Sequence, residues 1–475
     1  MAVALGHLLF PNGSRGRAAE WRIGMEAISK HMRILITNLT LASRSGTEVY
    51  VRDLALSLLR RGHDPVVYTT MPGTVAEELR SCGVAVVGDL SRIAPAPDVI
   101  HGHHTIETLT AMLHFPATPA LFVCHSWIAW FDAPPDHRHV HAFGAVSVAC
   151  RDRLVHQHGI PEDRVRLILN AVDLERFRPR GPLPFRPRRA VVFSSSAHNG
   201  AYLQAVQEAC DRSGLKLEFI GAGMQGRGEV TERPERELGT YDLVFAKGKC
   251  ALEAMAVGTA VVVCDAVGLG KMVTTGNLER LRVLNFGFSA MDREVTADAI
   301  IREIDGYDSQ DAAAVSRLVR ASACLEDQVD TLLAVYDEVI AAHAQCTRQP
   351  EDGESAAAAL LRTLSGKVWE SEGLSTRLAA ERDVAVADQT RLGHVNAELM
   401  AENDRLAAMT AVLDPQVREL TAAVARLGAE LDCRERALLE LRGTSTFRLR
   451  ARLLRIPGVS SAIRTVRARA SSERG

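Results

Sequence analysis

The chain has 475 residues, 47% of them hydrophobic and 24% charged, with a net charge of −2. That length supports two domains with full cores plus further segments, and the balance is that of an ordinary soluble chain. A charge so near zero excludes a global field for nucleic acid or acidic surfaces, and no apolar run approaches the roughly 18 residues of a membrane span. The nine cysteines are scattered with no CxxC pair, as reduced core thiols are, so the expected location is the cytoplasm.

Residues 1–31 read as a disordered extension, with Met25 and Met32 as alternative starts and no secretory signal pattern. From Arg33 the pattern becomes regular. Arg33–Leu39 is a short β-branched run, expected as a buried parallel strand. Ser45-Gly46-Thr47-Glu48 follows as a small-residue turn whose backbone can approach a ligand. Val49–Leu59 then carries apolar residues at helical spacing until Gly62 stops it. The helix N-terminus, with its unpaired N–H groups and dipole, favours an anion.

Further strands are expected at Pro65–Thr70, Val84–Val87, Asp98–His101, Leu121–His125 and Ala145–Ala149. Ligands of such sheets bind beyond the strand C-termini. The proline-rich segment Arg178–Pro187 reads as an interdomain linker. A second alternating block has strands at Ala190–Ser194, Leu215–Ile220, Leu243–Phe245 and Ala260–Cys264, followed by a small-residue loop with a cation, Gly268–Lys271. Residues 32–180 and 181–342 are therefore expected as two α/β domains.

Residues 343–375, rich in alanine, serine and acids, read as a flexible linker. Leu392, Val395, Leu399, Leu406, Met409 and Leu413 then take steps of three and four, and Val417, Leu420, Val424, Leu427, Leu431 and Leu438 resume after Pro415. Residues 376–445 are thus expected as a coiled coil with a stutter at the proline, and so as a homodimer contact. Residues 446–475 form a basic amphipathic tail fit for an anionic membrane surface at the inner face. No recognition module for nucleic acid is present.

Several strings carry a family resemblance: SRSGTE after the first strand, LLRRGHDPVVYT, DVIHGHH at 98–104, LFVCHSW at 121–127, and GIPEDRVRLILNAVDLERFRP with Asn170, Val172, Asp173, Phe177 and Pro179. FIGAG at 219–223 and ALEAMAVGTAVVV at 251–263 extend it into the second block. The chain resembles the GT-B fold glycosyltransferases of the large retaining family typified by glycogen synthase-like and mannosyltransferase enzymes. The resemblance implies two Rossmann-like domains facing a cleft, with a nucleotide sugar as donor substrate and no cofactor. With the basic tail at a membrane surface, the expected acceptor is a cell-surface glycan or a lipid-linked molecule. Gly46 and Thr47 on one side, and Gly221, Gly223 and Glu253 on the other, would bind the donor, with Glu253 on the ribose and His125 as the catalytic histidine near the sugar.

The chain departs from that family at the donor loop. Phe245 stands where a further glutamate is usual, and Ser194 and Asn199 stand where basic residues would meet the diphosphate. Lys247 and Lys249, flanking Gly248, are the replacement ligands, a loop similar in outline to that of the muramyl-pentapeptide N-acetylglucosaminyltransferases. Bland readings remain beside these: solvated-loop lysines, a first-turn acid at 253, a core histidine at 125. His101, His103 and His104 lack acidic or cysteine partners at ligand spacing, and no metal is expected. A non-catalytic GT-B-like binding protein and a membrane-surface assembly factor are the alternative functions.

Overall fold

A computed structural model of the chain describes residues 31–194, 200–221, 233–346 and 352–458, with scattered positions to 467; the expected extension at 1–31 lies almost wholly outside them. The first domain is a seven-stranded parallel sheet: β1 (Arg33–Thr37), β2 (Asp64–Tyr68), β3 (Ala85–Val87), β4 (Val99–Gly102), β5 (Ala120–Cys124), β6 (Val140–Ala145) and β7 (Val165–Leu167). Their spatial order is β3-β2-β1-β4-β5-β6-β7, which reverses between β1 and β4. The second sheet comprises β8 (Arg189–Phe193), β9 (Lys216–Ile220), β10 (Leu243–Ala246), β11 (Ala260–Asp265) and β12 (Gly268–Met272), in the order β9-β8-β10-β11-β12. It reverses between β8 and β10. In both sheets the crevice beyond the reversal point is the natural ligand site. These are two Rossmann-like sheets facing one cleft, the GT-B arrangement.

Sequence patterning explains the layers. Along β8, Val191 and Phe193 enter one core while Ala190 and Val192 enter the other, so helices cover both faces. Helix α1 (Gly46–Arg60) buries Val51, Leu54, Ala55 and Leu58 and ends where Gly62 adopts φ +81°. It starts three residues earlier than expected, so Gly46 and Thr47 form its first turn and not a separate loop. Helix α2 (Gly248–Val257) closes at Gly258 with φ +101°.

The chain crosses between domains twice, and the crossings run side by side. Val172 forms a parallel bridge with Cys324, Val172 N donating to Ala323 O at 2.9 Å and Leu325 N to Val172 O at 2.9 Å. Helix α3 (Leu325–Ala344) then returns to the first domain, where Val329, Leu332, Tyr336 and Val339 complete its core. The expectation that residues to 342 pack with the second domain is corrected here: the apolar stripe of α3 matches the uncovered face of the first sheet. Glu326 secures its start by accepting from Ser57 Oγ at 2.9 Å and pairing with Arg60 and Arg61 at 2.8 and 2.9 Å.

Three further differences emerge. Ala145–Ala149 straddles the end of β6 and the start of a helix, Val148–Asp152, whose N-cap is Ser147. Gly268–Lys271 is not a loop; it belongs to β12, which pairs antiparallel with β11 at the sheet edge. The linker expected at 343–375 is helical from Asp352 onward, inside helix α4 (Asp352–Gly443), which carries Pro415 within it; residues 347–351 lie outside the described ones. Helix α5 (Ser445–Leu454) follows. Residues 1–366 and 367–475 are separate compact units.

Candidate functional site

A cavity of about 910 Å³ occupies the cleft, lined by the carboxyl ends of both sheets. From the first domain it receives residues 42–47 of the α1 start, the 125–128 loop, and Asn170 and Arg176 of the junction. From the second come Ser194, Gly221, the 247–250 turn, Glu253 and the 284–289 loop. Gly46, Thr47, Gly221, Lys247, Lys249, Glu253 and His125 thus meet around one space; Gly223 and Asn199 lie outside the described residues.

The α1 start is held by Glu48, which is 1% exposed and accepts from Ser45 N at 2.7 Å and from Ser43 N at 3.2 Å. This reach-back fixes the turn that carries Gly46. A Cβ at Gly46 would touch nothing within 4 Å, so that glycine leaves open space on the cleft wall. Gly221 is different: its φ is +134°, and a Cβ would stand 1.9 Å from Ser194 O. The ends of β8 and β9 approach so closely there that only glycine fits.

The two lysines have different surroundings. Lys247, the N-cap of α2, has a half-exposed side chain paired with the buried Asp265 at the end of β11. Lys249 is buried and reaches across the cleft, its Nζ 2.9 Å from Asp53 Oδ2 on α1 and donating to Ala171 O at 3.0 Å. Asp53 also binds Arg52, and its carboxyl is held below its usual range by Lys249 and Arg52 against the pull of burial. Lys249 therefore serves as a bridge between domains in this structure. Gly248 N, at the α2 start, donates to Phe286 O at 3.0 Å, so that N–H is also engaged.

Glu253 is 5% exposed and lines the cavity. Burial, reinforced by Asp53, pushes its pKa up to about 7, with Lys249 and Arg52 opposing. A buried carboxyl on a cavity wall can accept hydrogen bonds from a ligand that enters the cavity. Phe245, eight residues earlier, is fully buried in the core on the opposite face of the sheet, which is why no carboxylate is available at that position.

His125 follows β5, and its imidazole Nε2 lies 2.8 Å from His103 Nδ1. His103 stacks near His101, with ring centroids 4.6 Å apart, and His101 Nδ1 is 2.6 Å from Tyr336 OH on α3. Tyr50 fills the remaining side, 5.0 Å from the His125 ring. Burial pushes the pKa of His101 and of His125 down to about 3, so these rings are neutral. The sequence reading separated 101 and 103 from 125; the topology joins them because β4 and β5 are neighbouring parallel strands that both lead into the cleft. Among the described residues no group of three or more His, Cys, Asp or Glu is placed to hold a metal ion.

Arg176 was not foreseen as a site residue. It lines the cavity and pairs with Glu235 at 2.9 Å, with Asp53 at 3.8 Å. Its signal lay in the junction string, read there for the architecture alone.

Residues 44–176 match the family model of Glycosyltransferase Family 4. No curated protein matches the chain. Among solved structures, a glycosyltransferase from Rickettsia africae is similar at 14% identity, covering 66% of this chain and 99% of its own, with a TM-score of 0.49. Anabaena Alr3699/HepE in complex with UDP-glucose is similar at 16% identity, covering 65% of this chain and 100% of its own, with a TM-score of 0.47.

Proposed function

We propose that the chain transfers a sugar from a nucleotide-sugar donor to a glycan or lipid-linked acceptor in the cleft. The observation that carries this reading is Glu253: a buried carboxyl on the cavity wall beside the strand-order reversal of the second sheet, opposite residues that match a glycosyltransferase family model. In its ionised form it accepts from two hydroxyls of a ribose. Lys247 and the first turn of α2 meet the diphosphate, with the Lys247–Asp265 pair opening to do so. Gly221 and Gly46 let the donor backbone approach from opposite walls, and Thr47 lies beside it. Neutral His125, held by His103, hydrogen-bonds the transferred sugar. No cofactor is needed, and retention at the anomeric carbon is the outcome the resemblance implies. The neighbour solved with UDP-glucose makes that molecule the first donor to test.

The test is calorimetric titration with UDP-glucose and a panel of nucleoside diphosphates. Glu253→Gln and Lys247→Ala should each weaken binding by about tenfold, near 1.4 kcal/mol. Unchanged affinity in both would remove this site from the reading. A second reading, binding without transfer, draws on the engaged Lys249 and the core position of Phe245. Donor that binds yet is neither transferred nor hydrolysed would favour it.

Helix α4 adds a homodimer to the proposal. Its apolar residues are exposed in the single chain, Leu392 at 64%, Leu399 at 63%, Leu420 at 66% and Leu427 at 65%. A partner helix is what such a seam accommodates. The arginine-rich tail is proposed to rest on an anionic membrane surface.

A further inference from the structure

Two aromatic rings meet at the cleft mouth from opposite domains. Trp127, beyond β5, and Phe288, in the loop before the second domain's last helices, have ring centroids 5.6 Å apart at 38°. Both line the cavity, yet both remain open to solvent, Trp127 at 41% and Phe288 at 50%. Ile128 beside them is 70% exposed. Exposed apolar groups of this size on a cleft rim mark a binding surface.

The exposure is built in on both sides. On the first domain, Ser126 Oγ accepts from Ala129 N at 3.0 Å, Arg153 holds Ser126 O at 2.6 Å, and buried Asp132 accepts from His125 N at 2.8 Å. These bonds pin the loop at its base on either side of Trp127. On the second, Asn285 and Phe286 adopt φ +55° and +49°, a left-handed conformation that a phenylalanine rarely takes. Gly248 N on Phe286 O, and Asn170 Nδ2 on Asn285 Oδ1 at 3.0 Å, hold that strained turn and so aim Phe288 across the cleft.

We infer that Trp127 and Phe288 form a clamp for an apolar aglycone, the non-sugar part of the acceptor, and so set acceptor specificity. This rests on the glycosyltransferase reading of the cleft. Residues 127–131, Trp-Ile-Ala-Trp-Phe, offer no charged or amide side chain to the hydroxyls of a sugar ring. The aliphatic Ile128 extends the rim in the manner of a chain-binding surface. The patch is continuous with the cavity, so an alkyl or prenyl group held there keeps its attached polar end inside the cleft, beside His125.

The full chain is titrated with octyl β-D-glucopyranoside below its micelle concentration, with glucose at the same concentrations, and separately with UDP-glucose. The octyl glycoside should saturate while glucose does not. Trp127→Ala and Phe288→Ala should each weaken the octyl probe by about tenfold, with Trp127→Phe restoring most of the affinity and UDP-glucose binding unchanged throughout. Equal binding of glucose would make the rings a sugar-stacking platform and overturn the inference. So would failure of the octyl probe to bind, or its indifference to both alanine variants. If UDP-glucose fails to bind while the octyl probe behaves as expected, the donor reading falls and the apolar clamp stands.

Discussion

One ionisation bears on the proposed donor site. Glu253 has a pKa near 7 in the folded chain against an ordinary 4.5, because burial costs the charged form more than Lys249 and Arg52 return. The folded state therefore holds this proton more tightly than the unfolded chain. The associated stability is fully present below pH 4.5 and is lost as pH rises through about 7. Ribose hydroxyls prefer the carboxylate, so donor binding runs the other way. Affinity for UDP-glucose, whose phosphodiester charges do not titrate here, should fall roughly tenfold from pH 8 to pH 6. Calorimetry in two buffers of different ionisation enthalpy should also show proton release near neutral pH, and Glu253→Gln should flatten the profile. A flat profile in the unaltered chain would mean that Glu253 does not touch the donor. Glu253 was legible as an acid on a helix bounded by two glycines, but the helix begins at Gly248, which puts it in the second turn and not the first as expected. The charges of Arg52 and Asp53 that act on it were not legible, since they come from the opposite domain.

At the scale of elements, α1 and α2 face each other across the cleft and are joined by the Asp53–Lys249 pair, 3% and 8% exposed. Removing one partner leaves a buried charge without its counterpart, a loss of about 3 kcal/mol. Asp53→Ala and Lys249→Ala should each lower the thermal unfolding temperature by several degrees. The double variant should lose less than the sum, as expected for groups in contact. Strict additivity in differential scanning fluorimetry would show that the pair does not join the domains. Lys249 stood beside Lys247 in the sequence as an equal candidate for the diphosphate, and nothing in the local pattern distinguishes them. Residues two apart near a helix start point in different directions, and the fold turned one toward β11 and the other toward α1. Helix boundaries and strand positions were readable where hydrophobic periodicity was strong, as at β1, β2 and β10. They were not readable at Ala145–Ala149, where Ser147 caps a helix inside an unbroken apolar run, or at Gly268–Lys271, where an edge strand is built of small residues. The return of α3 to the first core is a non-local event, invisible to any window of sequence.

Over the whole molecule, two compact units divide the labour: a cleft-bearing body to residue 366, and a helical extension from 367. No helix among the described residues is long and apolar enough to cross a membrane. The two-domain architecture was plain from the sequence because each α/β block repeats its own pattern and the proline-rich junction interrupts it. The start of α4 was not, because an alanine-, serine- and acid-rich composition suits either a tether or a solvated helix. The proposed roles of the extension, dimer contact and membrane contact, rest on its chemistry. Helix α5 carries Arg448, Arg450 and Arg452 alternating with Leu449, Leu453 and Leu454, and these leucines are 59%, 43% and 40% exposed. Each arginine near an anionic surface contributes about 1 kcal/mol, and the proposed dimer would present two such tails at high effective concentration. Deleting residues 376–475 should leave UDP-glucose affinity unchanged, since every site residue lies in the first unit. The same deletion should turn a dimer into a monomer by light scattering and abolish co-sedimentation with phosphatidylserine vesicles. Replacing the arginines of α5 with glutamine should keep the dimer but lose the vesicles, which separates assembly from attachment. If the truncated chain still sediments with vesicles, the tail is not the anchor; if it remains dimeric, the seam of α4 serves some other partner.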